Sequence, residues 1–237
     1  AYSWYCKRNS DNLQPKLPTE FSFIDKYDTI WINSKRSDNE EHKVAYLTFD
    51  AGYENGNIAK ILDVLKEKEA KGAFFILENL INSNPELVLR MQREGHLVCN
   101  HTAHHKDMSK IINIDTFAEE LSALESSYKQ LTGCEISHFY RPPEGRFNEE
   151  NLKSAESLGY STVFWSFAYA DWDNNKQPSK DYAIKKVLDN LQILPNTLIL
   201  CFSPGAISIK LSPLFTNALD IPNMFAKSPI EKPFVFK

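Results

Sequence analysis

The chain has 237 residues, with 27 Lys and Arg against 31 Asp and Glu, a net charge of −4, and 42% hydrophobic residues. That length is enough to bury a sizeable core, as one large domain or two small ones. The acidic balance, with no cluster of Lys and Arg, excludes a nucleic-acid partner, which needs a basic surface to neutralise phosphates.

No apolar run approaches the roughly 18–20 residues that span a bilayer. The chain opens on Ala1 rather than Met, which reads as a processed or truncated start and leaves open whether a signal peptide or anchor was removed. Cys6, Cys99, Cys134 and Cys201 are widely scattered, and no pair has CxxC spacing. A zinc ribbon or thioredoxin-type site is therefore not expected; buried free thiols are, although the spacing leaves zero, one or two disulfides open.

Residues 1–43 are polar and turn-rich around short aromatic patches ("YSWY", "FSFIDKY") and read as an irregular leader packed on the domain. From residue 44 the pattern becomes regular. Strand-like apolar runs are expected at 44–49, 72–77, 96–99, 137–140, 161–165 and 197–202, with helical periodicity at 57–69, 85–94, 115–132, 148–158 and 180–191. Asn84 before Pro85 reads as an N-cap with Pro in the first turn. Gly95 and Gly133 follow helical runs as C-terminal caps, and Asn148 precedes acidic residues suited to a helix start. Alternating strands and helices imply parallel βα units, in either a doubly wound sheet or a β/α barrel. Both place function at the C-terminal ends of the strands.

Those ends carry unusual residues in turn: "FDAG" with Asp50, "NHTAHH" at 100–105, "YRPPEG" at 140–145, "FAYADWD" at 167–173 and "LCFSPG" at 200–205. His101 and His105 are four apart, and on one helical turn both imidazoles would share a face suited to one metal ion. A solvated or capping histidine cluster is the plainer alternative, and His104 is expected to pack or to support rather than to ligate. Arg141 offers a donor fork to a carboxylate, or is a surface Arg on a structural loop. Trp172 is either core or a flat platform for a sugar ring.

Taken in order, "TFDAGYENG", "NHTAHH", "RPPEG", "ADWD" and the last strand resemble the motifs of the polysaccharide deacetylase (NodB homology) family, carbohydrate esterase family 4. "YSWYCKRN", "ILDVLKEK" and "RPPEGRF" are similar to its branch of PdaA-like peptidoglycan N-acetylmuramic acid deacetylases. The resemblance covers roughly 2–202. It implies a single-domain α/β fold, a distorted (β/α) barrel over 44–237, in which the tail 203–237 is atypical. It further implies metal-assisted removal of acetyl groups from N-acetylmuramic acid in peptidoglycan glycan strands, in the spore-cortex context of muramic δ-lactam formation. The cofactor implied is a divalent metal, zinc by preference; the location is extracytoplasmic and the protein a monomer.

Residue by residue, Asp50 matches the family's catalytic base and His101 and His105 its metal-binding imidazoles. Arg141 matches the Arg that steadies the carboxylates, and Asp171 the acid that orients a catalytic His. Tyr53, Asn55, Pro143, Trp172 and Leu200 match positions that bind substrate.

Two departures stand out. The family's second Asp, a metal ligand, falls at Ala51, and the His of its Leu-x-His motif falls at Phe202. Losing a general acid costs typically about 10²–10⁴-fold, so a weakened enzyme is expected. The alternatives are an inactive glycan-binding or wall-associated protein on a deacetylase scaffold, and an O-deacetylase, whose alcohol leaving group needs less acid help.

Overall fold

The computed structural model describes residues 1–7, 15–32, 44–171, 173, 176–193 and 197–202, with backbone alone at 44, 188, 190–193 and 197–202. In chain order the elements are β1 (Tyr2–Ser3), β2 (Thr29–Ile30), β3 (Val44–Ala51), α1 (Ile58–Glu67), β4 (Ala73–Ile76), α2 (Glu78–Ser83), α3 (Pro85–Arg93), β5 (Leu97–Asn100), α4 (Ile114–Thr132), β6 (Ser137–Tyr140), β7 (Arg146–Phe147), α5 (Glu149–Ser157), β8 (Ser161–Val163), α6 (Lys180–Ile193) and β9 (Thr197–Phe202). Short 3₁₀ turns lie at Thr19–Lys26, Met108–Lys110 and Pro143–Gly145.

Among the described residues seven strands form one sheet in the order β2-β8-β6-β5-β4-β3-β9. Each of its neighbouring pairs is parallel. The two faces of this sheet differ in what covers them. Ala45, Leu47, Phe49, Ala51, Phe74, Ile76 and Val98 pack with helix residues such as Leu62, Leu65, Val88, Met91 and Leu124. The alternate positions, Tyr46, Ala73, Phe75, Cys99, Phe139 and Val163, pack on one another with no helix residue among them. A sheet whose inner face closes on itself is curled, as a barrel requires. Among the described residues no strand pairing joins β2 to β9 at the two ends of this order.

The expected strands and long helices all form within a residue or a few of their expected bounds. The expected caps are mixed. Asn148 makes a capping box with Asn151, and Gly133 ends α4 at φ 73°. Asn84 does precede Pro85 at the start of α3, but its side chain makes no capping bond.

The described parts of the N-terminal segment are built into the body. β2 pairs with β8, β1 pairs antiparallel with β7, and Trp4, Phe21, Ile24 and Trp31 share a buried cluster with Phe147, Leu152 and Phe164. Among the described residues no disulfide joins Cys6, Cys99 and Cys134 to one another; Cys99 is buried as expected, whereas Cys134 is exposed. The side chain of Cys201 and the tail 203–237 lie outside the described residues.

Candidate active site

The inner-face register sets the site. In the alternation that points Tyr46, Cys99, Phe139 and Val163 into the barrel, the next inward positions at the C-terminal ends are Asp50, His101, Arg141 and Trp165. The barrel floor is apolar, so polar groups at this rim must satisfy one another.

Arg141 has no exposed surface. Its Nη1 donates to Asp50 Oδ1 at 2.7 Å, Nε to the Val163 carbonyl at 3.1 Å and Nη2 to the Phe164 carbonyl at 3.2 Å. The guanidinium also lies 4.1 Å from the centre of the Phe75 ring. A buried cation supplied with a carboxylate, two carbonyls and a π face is one of the few arrangements that tolerates full desolvation. The donor fork expected of Arg141 is therefore formed, and with it Asp50 is held in one orientation.

Asp50 Oδ2 lies 3.9 Å from His101 Nε2. His101 Nδ1 is 2.8 Å from the Arg141 carbonyl. A carbonyl only accepts, so Nδ1 carries the hydrogen and Nε2 keeps its lone pair. Burial pushes the His101 imidazole down to about 4 against the opposing pull of Asp50, which keeps it neutral at neutral pH. Neutral, oriented through its second nitrogen by a carbonyl, it is in the state of a metal-ligating histidine.

His105 comes alongside, its ring centroid 5.2 Å from that of His101 with the planes at 70°. The two rings meet as expected, but not on a helical turn. Residues 101–107 are a bent loop, with positive φ at Thr102 (75°) and His105 (55°). The i, i+4 spacing foresaw the meeting; the backbone route to it is a correction. His104 is turned to α4: its ring and its N–H both bind Glu120.

Other expected residues are placed less directly. Asp171 is buried, and its carbonyl accepts from Gln177. Pro143 is buried in the turn that follows Arg141. Tyr53 is 68% exposed on the loop after β3, and Asn55 on the same exposed loop accepts from Asn57. Trp172 lies outside the described residues. For Leu200 only the backbone is described; it pairs in register with Leu47, and position 202 with Phe49, the residue before Asp50.

Ala51 is fully buried in the helix-side cluster with Leu47 and Phe49. Among the described residues no three His, Cys, Asp or Glu side chains converge as a metal-ligand set. The two imidazoles fit a divalent cation as a pair of nitrogen donors, with further positions left to water or substrate.

Two residues at this rim have no signal in the linear sequence. Trp165 closes it beside Arg141, 5.7 Å from the guanidinium. Gly145, at φ 64°, packs so near that an added Cβ would fall 2.6 Å from the Trp165 ring. Glu120, on α4, reaches the histidine loop from outside the barrel. Neither lies in a motif, and only tertiary contact reveals them.

Comparison with known proteins agrees with this geometry. The sequence matches the polysaccharide deacetylase family over residues 37–163. It is 39% identical over 182 residues to the peptidoglycan-N-acetylmuramic acid deacetylase PdaA of Bacillus subtilis, covering 76% of this chain and 67% of that protein. It is 34% identical over 188 residues to a peptidoglycan-N-acetylglucosamine deacetylase of Bacillus cereus, covering 79% and 64%. The solved structure of Bacillus subtilis PdaA, a family 4 carbohydrate esterase, superimposes with a TM-score of 0.78 at 34% identity, over 86% of this chain and 84% of that one. A curled parallel sheet with Asp50, His101 and Arg141 at its C-terminal rim, joined to this similarity, shows that the chain belongs to the polysaccharide deacetylase family of hydrolases acting on carbon–nitrogen bonds.

Proposed function

We propose that the protein removes N-acetyl groups from N-acetylmuramic acid in peptidoglycan glycan strands, as the extracytoplasmic, monomeric, zinc-dependent deacetylase of a spore-cortex δ-lactam route. The observation that carries the reading is the Asp50 carboxylate. One oxygen is locked on Arg141, and the other is turned toward the neutral imidazole of His101.

In the proposed chemistry Asp50 is the general base: Oδ2 takes a proton from the attacking water while Oδ1 stays on Arg141. His101 and His105 would hold the metal, whose contribution is Lewis-acid polarisation of the acetyl carbonyl. Arg141 keeps Asp50 aimed. The departing amine needs a proton, and the family's usual donor position is Phe202. On this reading Asp50, protonated in the first step, returns that proton to the amine as the carbon–nitrogen bond breaks. One carboxylate serving twice gives slow turnover, within the roughly 10²–10⁴-fold deficit of a missing general acid.

Purified protein loaded with zinc should release acetate from peptidoglycan stripped of its stem peptides, and Asp50→Ala should not. Acetate no higher than that of Asp50→Ala sinks the catalytic reading. A second reading, a glycan-binding protein on a deacetylase scaffold, is favoured by Ala51, whose methyl side chain offers no donor atom at the position that matches the family's second Asp. Saccharide binding without turnover would establish it. Faster acetate release from O-acetylated than from N-acetylated glycan would instead favour an O-deacetylase.

A further inference from the structure

His101 is held by the sheet. Its N–H donates to the Ile76 carbonyl on β4, and its ring is oriented by the Arg141 carbonyl. His105 has no such support: it lies beyond the strand, on a backbone with φ 55°. Non-glycine residues in this region cost on the order of 1–3 kcal/mol and persist where the surroundings over-determine them. The loop's fixed points are therefore informative.

Within the loop, Asn100 Oδ1 accepts from the Thr102 N–H at 2.8 Å, and Thr102 Oγ1 accepts from the His105 N–H at 3.0 Å. From outside it, Glu120 takes the residues on either side of His105. Its Oε2 accepts from the His104 N–H at 3.1 Å, while Oε1 is 3.0 Å from His104 Nδ1 and 2.6 Å from Lys106 Nζ. Its own backbone carbonyl accepts from the Ala103 N–H at 2.9 Å. Glu120 is 4% exposed on a helix whose neighbouring inward residues are Phe117, Leu121 and Leu124. An apolar side chain would serve packing there at no desolvation cost.

We propose that Glu120 is a positioning residue for the metal site: by clamping His104 and Lys106 it sets where His105 stands relative to His101. This rests on the reading that the two imidazoles hold a divalent metal. Its effect on the backbone, however, exists in the metal-free protein and is measured there.

The test uses Glu120→Leu, which keeps packing and the backbone bond to Ala103 but removes every side-chain clamp, and Glu120→Gln, which keeps an acceptor for the His104 N–H. Hydrogen exchange in the metal-free proteins should show the His105 amide, which Glu120 does not touch, losing protection in Glu120→Leu and partly in Glu120→Gln. Zinc titration by calorimetry, well below the unfolding temperature, should show affinity falling about 10–100-fold in Glu120→Leu, the usual range for removing a group that supports a ligand, with Glu120→Gln between. Unchanged His105 exchange in both variants overturns the proposal, whatever their melting temperatures. So does unchanged zinc affinity in a Glu120→Leu protein that remains folded. Wild-type protein that binds no zinc overturns the metal assignment itself, and the exchange data then still decide whether Glu120 sets the loop.

Discussion

Arg141 illustrates how much a single side chain can be asked to do at the rim of a barrel. It takes its cation out of water completely, and the return is the fixed orientation of Asp50. Removing one member of a buried ion pair leaves the other uncompensated, which costs about 3–5 kcal/mol. Asp50 keeps 19% of its side-chain surface, so Arg141→Met should sit at the lower end of that range in denaturant unfolding at neutral pH. Arg141→Lys is the sharper probe. It preserves the charge but not the planar fork that reaches Asp50 and two carbonyls together. Acetate release should fall by more than tenfold while the unfolding midpoint moves less than in Arg141→Met. If Lys restores full turnover, charge alone matters at position 141 and the fork does not.

The N-terminal segment shows where sequence patterning stops being informative. The buried parallel strands announce themselves as continuous apolar runs, and the long helices carry their own caps and periodicity, so β3 to β6 and α3 to α5 are legible locally. β2 is only Thr29–Ile30; its strand character comes from β8 beside it and not from its own residues. The same holds within the site. Asp50, His101 and Arg141 are legible because strand ends in parallel folds are where polar residues need a reason. Glu120 is not, because its partners lie on a loop that only the fold brings to α4. Trp4 gives the measurable consequence. It stacks on Phe164 with centroids 4.3 Å apart, and its Nε1 donates to the Trp165 carbonyl at 2.7 Å. Trp4→Ala should therefore cost about 3–5 kcal/mol, the range for truncating a buried large aromatic. A loss under 1 kcal/mol in chemical denaturation would mean that the segment is merely laid on the surface.

A second buried imidazole lies at the end of the barrel away from Asp50, and with it pH acts on the stability of the whole molecule. His96 precedes β5, at the end away from Asp50, and its Nδ1 accepts from the Gly72 N–H at 3.1 Å. The groups facing it are Glu94, with Oε2 3.9 Å from Nε2, and the cations Lys71 and Arg90. Burial first, then Lys71, lowers the imidazole to about 4, against a smaller upward pull from Glu94. The unfolded chain binds this proton near pH 6.5. Between about 6.5 and 4 the unfolded state thus holds more protons than the native one, and stability falls as pH falls. Buried His101 acts in the same direction. His96→Asn places an amide oxygen where Nδ1 accepts, removing the titration while keeping the acceptor. In metal-free protein, with chelator present, the wild-type unfolding midpoint should drop steeply from pH 7 to 5. The variant should drop with a shallower slope, the remainder belonging to His101 and to carboxylates held below their ordinary range, such as Glu94, Asp107 and Glu120. Slopes and not absolute midpoints are the comparison, because the substitution itself shifts stability at every pH. Equal slopes in the two proteins would show that His96 is protonated in the folded state within this range, and that its burial does not couple folding to pH.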